Sequence, residues 1–228
     1  MKNLSSMKAV FFDYDGVIAK PDDNIEAWEK ACHKFNFKMA KEDWYELEGL
    51  KPEELAAKIL TKYKIKDVKA ERLSEEKKMQ YTNISSKTDF KVRLYKDIKQ
   101  ILSYLKKNDI KCGLVTGAIR SRVLKSIPSL LNYFDTIVAA DDEVDGEKIE
   151  GKPAPDPWLL AAKNIDLSPE NCIVVENAVL GIKSAKSASM YCIALRTTIE
   201  KESLVNAGAD LVLKNHLDLI NYFRNYYE

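Results

Sequence analysis

The sequence predicts an α/β fold in which helices flank a parallel sheet and a small helical domain is inserted into the chain. Three observations predict it. Short apolar runs alternate with segments of helical periodicity, one long stretch is helical throughout, and polar residues follow the ends of several apolar runs. Alternating strands and helices are typical of a parallel sheet covered on both faces.

Six apolar runs have the length and composition of buried strands. Several are nearly continuous in hydrophobicity, as expected of strands that are buried on both faces of a sheet. The runs occupy residues 8–12, 111–115, 136–140, 171–175, 191–195 and 210–213. Between them, residues 98–105 place apolar side chains at helical spacing, and Pro157 behind Asp156 marks another helix start. The whole pattern predicts a Rossmann-like core.

The stretch from about Asp22 to about Lys87 interrupts this alternation because it contains helical patterns alone. Four apolar faces can be recognised, and a set of this size can form a small bundle. The residues on these faces include Ile25, Trp28, Cys32, Phe35, Trp44, Leu47, Leu55, Ile59, Tyr63, Leu73, Tyr81 and Ile84. We therefore predict a four-helix-bundle cap domain of residues 21–87, inserted into a core domain of residues 1–20 and 88–228.

Composition and charge exclude several classes of partner. Hydrophobic residues make up 46% of the chain, and 36 Lys and Arg against 35 Asp and Glu leave a net charge of +1. A near-neutral balance argues against binding nucleic acid or a membrane surface through bulk charge. No segment approaches the ~18–20 apolar residues that a membrane-spanning helix needs. We expect a monomer with neither nucleic acid nor membrane as partner.

Cysteine usage indicates a reducing compartment. The four cysteines lie outside any CxxC pattern, and three of them occur within apolar strand-like runs. Buried free thiols are therefore expected rather than disulfides or a zinc site. The amino terminus has no long apolar run followed by a small-residue cleavage site. These features predict a cytoplasmic protein.

Polar side chains follow the predicted strands where those strands end. Ligands of open parallel sheets bind at the carboxyl ends of the strands, so we expect these side chains to meet at one edge. These side chains follow the apolar runs that end at residues 12, 115 and 175, and one of them lies in the loop before the run of residues 171–175. The residues are Asp13, Asp15, Thr116, Gly117, Lys152, Glu176 and Asn177.

These residue types suit phosphoryl transfer. Clustered acidic oxygens bind Mg²⁺, and Mg²⁺ together with Lys152 would neutralise a phosphate during attack by an anion. The Thr116 hydroxyl and backbone N–H groups from Gly117 onward can bond phosphate oxygens at a helix start. A carboxylate nucleophile that forms an aspartyl-phosphate is an established covalent strategy.

Four segments resemble the motifs of the haloacid dehalogenase superfamily of phosphatases. They read FFDYDGV, GLVTG, GKPAPDP and VVENAVLGIKSAK, in that order. The helical insert after the first strand resembles the branch that includes phosphoglycolate phosphatase and β-phosphoglucomutase. The resemblance implies that Asp13 is the nucleophile and a metal ligand, and that Asp15 is the general acid–base and a ligand through its carbonyl. It makes Thr116 and Lys152 phosphate binders.

The fourth motif departs from the commonest pattern of that family. Glu176 and Asn177 occupy the positions of an acidic metal-site pair, and Asn177 stands where Asp is usual. An amide oxygen can ligate Mg²⁺ but brings no charge, so the sequence predicts weaker metal binding and a gain of affinity in Asn177→Asp. Glu176 either ligates the metal directly or holds a metal-bound water.

The predicted function is Mg²⁺-dependent hydrolysis of a small phosphorylated metabolite through an aspartyl-phosphate. The alternative is a phosphomutase of the β-phosphoglucomutase type. Those mutases carry a histidine shortly after the first motif and a basic residue in the cap's glycine-rich loop. Here residues 21–25 contain no histidine, and in the loop of residues 49–54 only Lys51 is basic. A remote alternative is a catalytically weak binding protein.

Four residues carry expectations about their position. Lys51 follows Gly49 between two predicted helices, so we expect it to reach the substrate from a loop tip that faces the core. Arg120 and Arg122 follow the second motif and are expected to face solvent on the next helix. His216 lies beyond the last strand, and a surface or capping position is expected for it.

Overall fold

The computed structural model describes residues 7–88 and 90–227. Its strands, in chain order, are β1 (Ala9–Phe12), β2 (Lys111–Val115), β3 (Thr136–Val138), β4 (Glu143–Val144), β5 (Glu147–Lys148), β6 (Cys172–Glu176), β7 (Tyr191–Leu195) and β8 (Leu211–Leu213). Six of them form one parallel sheet in the order β3-β2-β1-β6-β7-β8, and β4 and β5 form a separate antiparallel hairpin. The predicted α/β fold is confirmed.

Strand β1 lies in the middle of the sheet and is buried on both faces. Val10 pairs with Cys112 of β2 and with Ile173 of β6. Ala9 and Phe11 pack into the hydrophobic cluster on one face, and Val10 and Phe12 pack into the cluster on the other. This placement explains why the run is apolar at every position.

Four helices lie between β1 and the next helix of the core. They are α1 (Asp22–Lys34), α2 (Lys41–Leu47), α3 (Pro52–Lys62) and α4 (Ala70–Ser85). Their apolar faces share one cluster that includes Trp28, Trp44 and Ile59. We call this segment the cap; its proposed boundaries at residues 21 and 87 stay a prediction.

Six further α-helices accompany the sheet in the part of the chain that the structure describes. They are α5 (Ile98–Lys107), α6 (Arg120–Ser126), α7 (Asp156–Lys163), α8 (Val179–Ser187), α9 (Lys201–Asn206) and α10 (His216–Tyr227). Within residues 7–88 and 90–227, no helix combines the length and apolar character needed to cross a membrane. All four cysteines are buried free thiols, as expected.

The expectation for His216 was wrong. Its side chain is buried, its Nε2–H donates to the Val17 carbonyl at 2.6 Å, and its ring stacks on Tyr95 with centroids 4.3 Å apart. Because α10 begins at this residue and packs beside the loop that follows β1, the ring is enclosed between two chain segments. This pairing joins residues that are far apart in sequence.

Lys77 of the cap is a buried cation beside two aromatic rings. Its Nζ lies 5.6 Å from the centroid of Trp28 and 5.4 Å from that of Tyr81. Burial, together with the charge of the nearby Arg122, lowers the pKa of Lys77 to about 7. The folded protein therefore holds this proton less tightly than an unfolded chain, in which a lysine has a pKa of about 10.4.

We expect Lys77→Met to raise the free energy of unfolding at pH 7 by roughly 1–4 kcal/mol, because it removes a buried charge. Between about pH 7 and pH 10 the unfolded wild type binds more protons than the folded one, so wild-type stability rises with pH. The variant should lack that rise. Denaturant unfolding at several pH values measures both effects, with the exposed Lys78→Met as control. A variant less stable than the wild type, with the same pH dependence, would contradict the assignment.

Candidate active site

The predicted site residues meet at the carboxyl ends of the central strands. Asp13 directly follows β1, and its N–H donates to the carbonyl of Val175 in β6. Thr116 directly follows β2 and is tied to Val138 of β3 in the same way. Glu176 ends β6. The backbone ladder of the sheet thus fixes where these side chains begin.

Lys152 joins two of the carboxylates. Its Nζ lies 2.6 Å from Asp13 Oδ1 and 2.7 Å from Glu176 Oε1, and its side chain is 1% exposed. The ammonium also lies 4.4 Å from the centroid of the Trp158 ring. Burial disfavours the charged form, but Asp13 and Glu176 outweigh that effect and raise the pKa of Lys152. Lys152 is therefore a fixed positive charge at the centre of the site.

Asp13 lies in a strongly desolvated environment. Burial raises the pKa of Asp13, the ammonium of Lys152 opposes the rise, and Glu176 and Asp15 add to it. A carboxylate in this position is stabilised by any additional positive charge that approaches it. The ionised form of Asp13 thus depends on cations in the site.

Glu176 has both carboxylate oxygens engaged. Oε1 accepts from Lys152, and Oε2 accepts from the N–H groups of Asn177 and Ala178, each at 2.7 Å. Gly181 leaves the space for this carboxylate, since a Cβ there would lie 1.6 Å from Glu176 Oε1. The contacts position Glu176 as a support for Lys152 and for the start of α8.

Asn177 contacts the cap. Its Nδ2 donates to Glu48 Oε2 and to Thr198 Oγ1, both at 2.8 Å. Glu48 is buried, and burial together with the charge of Asp13 raises the pKa of Glu48 well above its ordinary value. Within the described part of the chain, two buried oxygens of this pair, Asn177 Oδ1 and Glu48 Oε1, have no hydrogen-bond partner.

The donor set fits a magnesium ion, although carboxylates alone would not hold it. In residues 7–88 and 90–227, no group of three or more His, Cys, Asp or Glu side chains is arranged to hold a metal ion. Mg²⁺ also accepts amide and carbonyl oxygens, and the unpartnered Oδ1 of Asn177 is such an oxygen. Ligation by Asp13, the Asp15 carbonyl and residues 176 and 177 stays a prediction.

Asp15 makes an ion pair that the sequence did not predict. Its carboxylate accepts from Arg122 Nη1 at 3.0 Å and Nη2 at 2.8 Å, and from Asn24 Nδ2 at 3.1 Å. The Arg122 side chain is 10% exposed and covers the rings of Tyr14 and Tyr81. The expectation that Arg122 faces solvent was wrong because α6 begins at Arg120, which places Arg122 in a first turn that faces the sheet edge.

Arg120 also has a defined partner. It donates to both carboxylate oxygens of Asp142 and to the carbonyl of Ile137, while its side chain remains 39% exposed. The expectation of a solvent-facing position is therefore met in part. Its ion pair ties the start of α6 to the loop after β3.

The cap closes over the positions that the sequence predicts to bind phosphate. A Cβ on Gly117 would lie 2.8 Å from the carbonyl oxygen of Gly49, so the cap loop rests on this glycine. Gly49 has φ +98°, a conformation that L side chains rarely adopt. The cavity left beside Thr116 and Lys152 measures about 10 Å³, which is space for about one water molecule. A phosphate ester enters only if the cap loop moves.

Lys51 lies where the sequence predicted, on the cap loop that faces the core. It lines the small cavity, its Nζ donates to the Ile149 carbonyl, and its Cγ approaches the position of a Cβ on Gly151 to 3.0 Å. The ammonium thus reaches the loop that carries Lys152. A contact with substrate stays a prediction.

Comparisons with known proteins decide the family. Residues 10–195 match the model of the haloacid dehalogenase-like hydrolases. The chain belongs to this family. It is 32% identical to β-phosphoglucomutase of Bacillus subtilis (strain 168), over 93% of this chain and 92% of that protein. It is 29% identical to hexitol phosphatase A of Escherichia coli (strain K12), over 93% of this chain and 89% of that protein.

Solved structures agree with this membership. The crystal structure of β-phosphoglucomutase from Clostridium difficile superposes with a TM-score of 0.78 at 28% identity, covering 97% of each chain. A hydrolase from Pseudomonas syringae superposes with a TM-score of 0.82 at 24% identity, covering 96% of this chain and 99% of that one. The resemblance stated from the four motifs is confirmed.

Sequence reasoning missed three residues of this haloacid dehalogenase-like site. Arg122 could have been found by placing it in the first turn of the helix after the second motif. Glu48 directly precedes Gly49 and the loop from which Lys51 was expected to reach the substrate, and that adjacency was an available signal. No sequence pattern pointed to Thr198. It lies in the loop after β7 and meets Asn177 only in the folded structure.

We expect Arg122→Met to lower the free energy of unfolding by about 3–5 kcal/mol, because it leaves Asp15, whose side chain is 12% exposed, as a largely buried charge without its cation. Arg122→Met with Asp15→Asn should lose much less than the sum of the two single losses, since both partners are then neutral. Denaturant unfolding of the four proteins measures the coupling. Additive losses would show that the two side chains contribute independently.

Proposed function

We propose that this protein is a Mg²⁺-dependent phosphatase that hydrolyses a small phosphorylated carbohydrate through an aspartyl-phosphate. The observation that carries the proposal is the buried ammonium of Lys152, held between Asp13 and Glu176 at the strand ends beside Thr116. A carboxylate next to a fixed cation and hydroxyl donors suits attack on an anionic phosphate. The similarity to hexitol phosphatase A supports the substrate class.

The first half-reaction forms one bond to phosphorus and breaks another. An Asp13 oxygen attacks phosphorus, the bond to the ester oxygen breaks, and Asp15 gives a proton to the departing alcohol. Lys152, Thr116 and the backbone N–H groups near Gly117 bind the phosphate oxygens. Mg²⁺ bound through Asp13, the Asp15 carbonyl and Asn177 would supply the charge that brings the anionic nucleophile and the phosphate together.

The second half-reaction restores the enzyme. A water molecule attacks phosphorus while Asp15 takes its proton, the bond between phosphorus and Asp13 breaks, and inorganic phosphate leaves. The closed cap leaves space for about one water molecule beside Thr116 and Lys152, and so keeps bulk water out of the site. We expect Lys51, which lines the small cavity, to contact a second polar group of the substrate once the loop has moved to admit it.

The direct test uses the purified protein and a panel of phosphorylated carbohydrates, organic acids and nucleotides, with Mg²⁺ or EDTA. Release of inorganic phosphate is measured for each compound. The proposal expects hydrolysis of at least one sugar phosphate that EDTA abolishes. Turnover that is equal with EDTA, or none on any phosphate ester, would overturn it.

We expect Asp13→Asn to reduce turnover to below a few per cent of wild type with the fold intact, because an amide of nearly the same shape cannot attack phosphorus. Phosphate release and circular dichroism check the two parts. Asp109→Asn makes the same chemical change at an exposed position away from the site and should leave turnover unchanged. Substantial activity in Asp13→Asn, with deamidation excluded by mass spectrometry, would refute the nucleophile assignment.

A phosphomutase is the second candidate, and the similarity to two β-phosphoglucomutases favours it. The segment after the first motif argues for the hydrolase, since it offers Asn24 rather than a histidine to Asp15. Incubating a hexose monophosphate with the matching bisphosphate distinguishes the two by ³¹P NMR. A mutase yields the isomeric monophosphate, whereas a hydrolase yields inorganic phosphate.

A further inference from the structure

Glu48 gives the buried cluster around Asp13 an excess of negative charge. Asp13, Glu48 and Glu176 are each at most 5% exposed, and Lys152 is the cation that contacts two of them. When all of them are ionised, the three carboxylates and the one ammonium carry two net negative charges. Buried charges are stable only when they are paired, and a divalent cation would balance this excess. Without Glu48 the excess would be one charge.

Glu48 also fixes the orientation of Asn177. The Nδ2 of Asn177 donates to Glu48 Oε2 at 2.8 Å. An ionised carboxylate can only accept hydrogen bonds, so the ionised form of Glu48 holds the amide in this orientation. The Thr198 hydroxyl bonds both side chains, at 2.8 Å from Nδ2 and 3.2 Å from Oε2. The amide oxygen of Asn177 stays without a partner among the described residues, as does Glu48 Oε1.

The position of Glu48 makes its contribution depend on the cap. Glu48 follows the last residue of α2 and precedes Gly49, whose carbonyl covers Gly117. The carboxylate therefore sits beside Asn177 when the loop lies on the core. Whatever binds at this carboxylate favours the closed loop, and closure in turn favours binding.

We propose that Glu48 supplies, from the cap, the negative charge that Asn177 does not bring to the metal site. Asn177 and Glu48 together thus replace the acid expected at position 177, and cation binding holds the cap loop closed. This inference rests on the proposed function, because that function identifies the cation as Mg²⁺.

The pair changes one expectation drawn from the sequence. Sequence alone predicts that Asn177→Asp tightens Mg²⁺ binding. The structure places this side chain 2.8 Å from a carboxylate, so an aspartate would face Glu48 and repel it. The gain of affinity is therefore expected only when Glu48 is neutral.

The test measures cation binding rather than turnover. Binding of Mn²⁺ is followed by the loss of its free-ion EPR signal, and Mg²⁺ binding by competition with Mn²⁺. We expect Glu48→Gln to weaken both about 10–100-fold, the loss typical of residues that support metal ligands. Glu53→Gln removes the same charge from an exposed position of the cap and should bind as the wild type does. Equal affinity in Glu48→Gln and Glu53→Gln, or a wild type that binds neither ion, would overturn the proposal.

A second pair of variants tests the partnership. Asn177→Asp alone should bind Mn²⁺ no more tightly than the wild type, and Asn177→Asp in the Glu48→Gln background should recover most of the lost affinity. If Asn177→Asp changes the Mn²⁺ affinity by the same factor with and without Glu48→Gln, the proposal is contradicted. Melting temperatures without metal confirm that each variant folds.

Amide hydrogen exchange tests the link to the cap. Mg²⁺ should slow exchange at residues 49–51 in the wild type and not in Glu48→Gln. Equal slowing in both would refute the coupling.

The measurements distinguish failure of this inference from failure of the proposed function. A protein that hydrolyses no phosphate ester can still show the Glu48 effect on Mn²⁺, and an active phosphatase can lack it.

Discussion

The site depends on one buried ammonium. Lys152 reaches into the sheet edge and bonds Asp13 at the end of one strand and Glu176 at the end of its neighbour. Removing it would leave two carboxylates facing each other in a region from which water is excluded, which is strongly destabilising. The same contact places a positive charge beside the proposed nucleophile. Both the stability of the folded protein and the proposed chemistry therefore require a positive charge at position 152.

The other polar side chains of the site form two groups around Lys152. Asp15 is paired with Arg122, so the proposed acid–base is held by a core helix and by Asn24 of the cap. Glu48 and Asn177 are paired across the interface between cap and core, next to Asp13. Both groups include a cap residue. A movement of the cap thus changes the surroundings of both proposed catalytic carboxylates, which offers a physical route by which substrate entry is linked to the chemistry.

Much of the fold could be predicted because it follows local rules. Strand β1 is apolar at every position since both its faces are covered, and the polar residues after β1, β2 and β6 were placed together by the geometry of parallel sheets alone. Arg122 was misplaced because a helix start one residue earlier or later changes which side of the first turn faces the core. Glu48 and His216 were not predictable in this way. Their partners lie more than one hundred residues away, and the contacts form only when the cap and the last helix have packed.

The central claim is that Asp13 carries the phosphoryl group, and trapping that group tests it most directly. The enzyme is mixed with its best substrate, quenched in acid within one turnover, and treated with borohydride, which reduces an acyl phosphate to an alcohol. The account predicts that mass spectrometry finds homoserine at position 13, and that untreated enzyme or enzyme without substrate contains aspartate there. Reduction at another residue, or turnover with aspartate intact at position 13 in every sample, would contradict it.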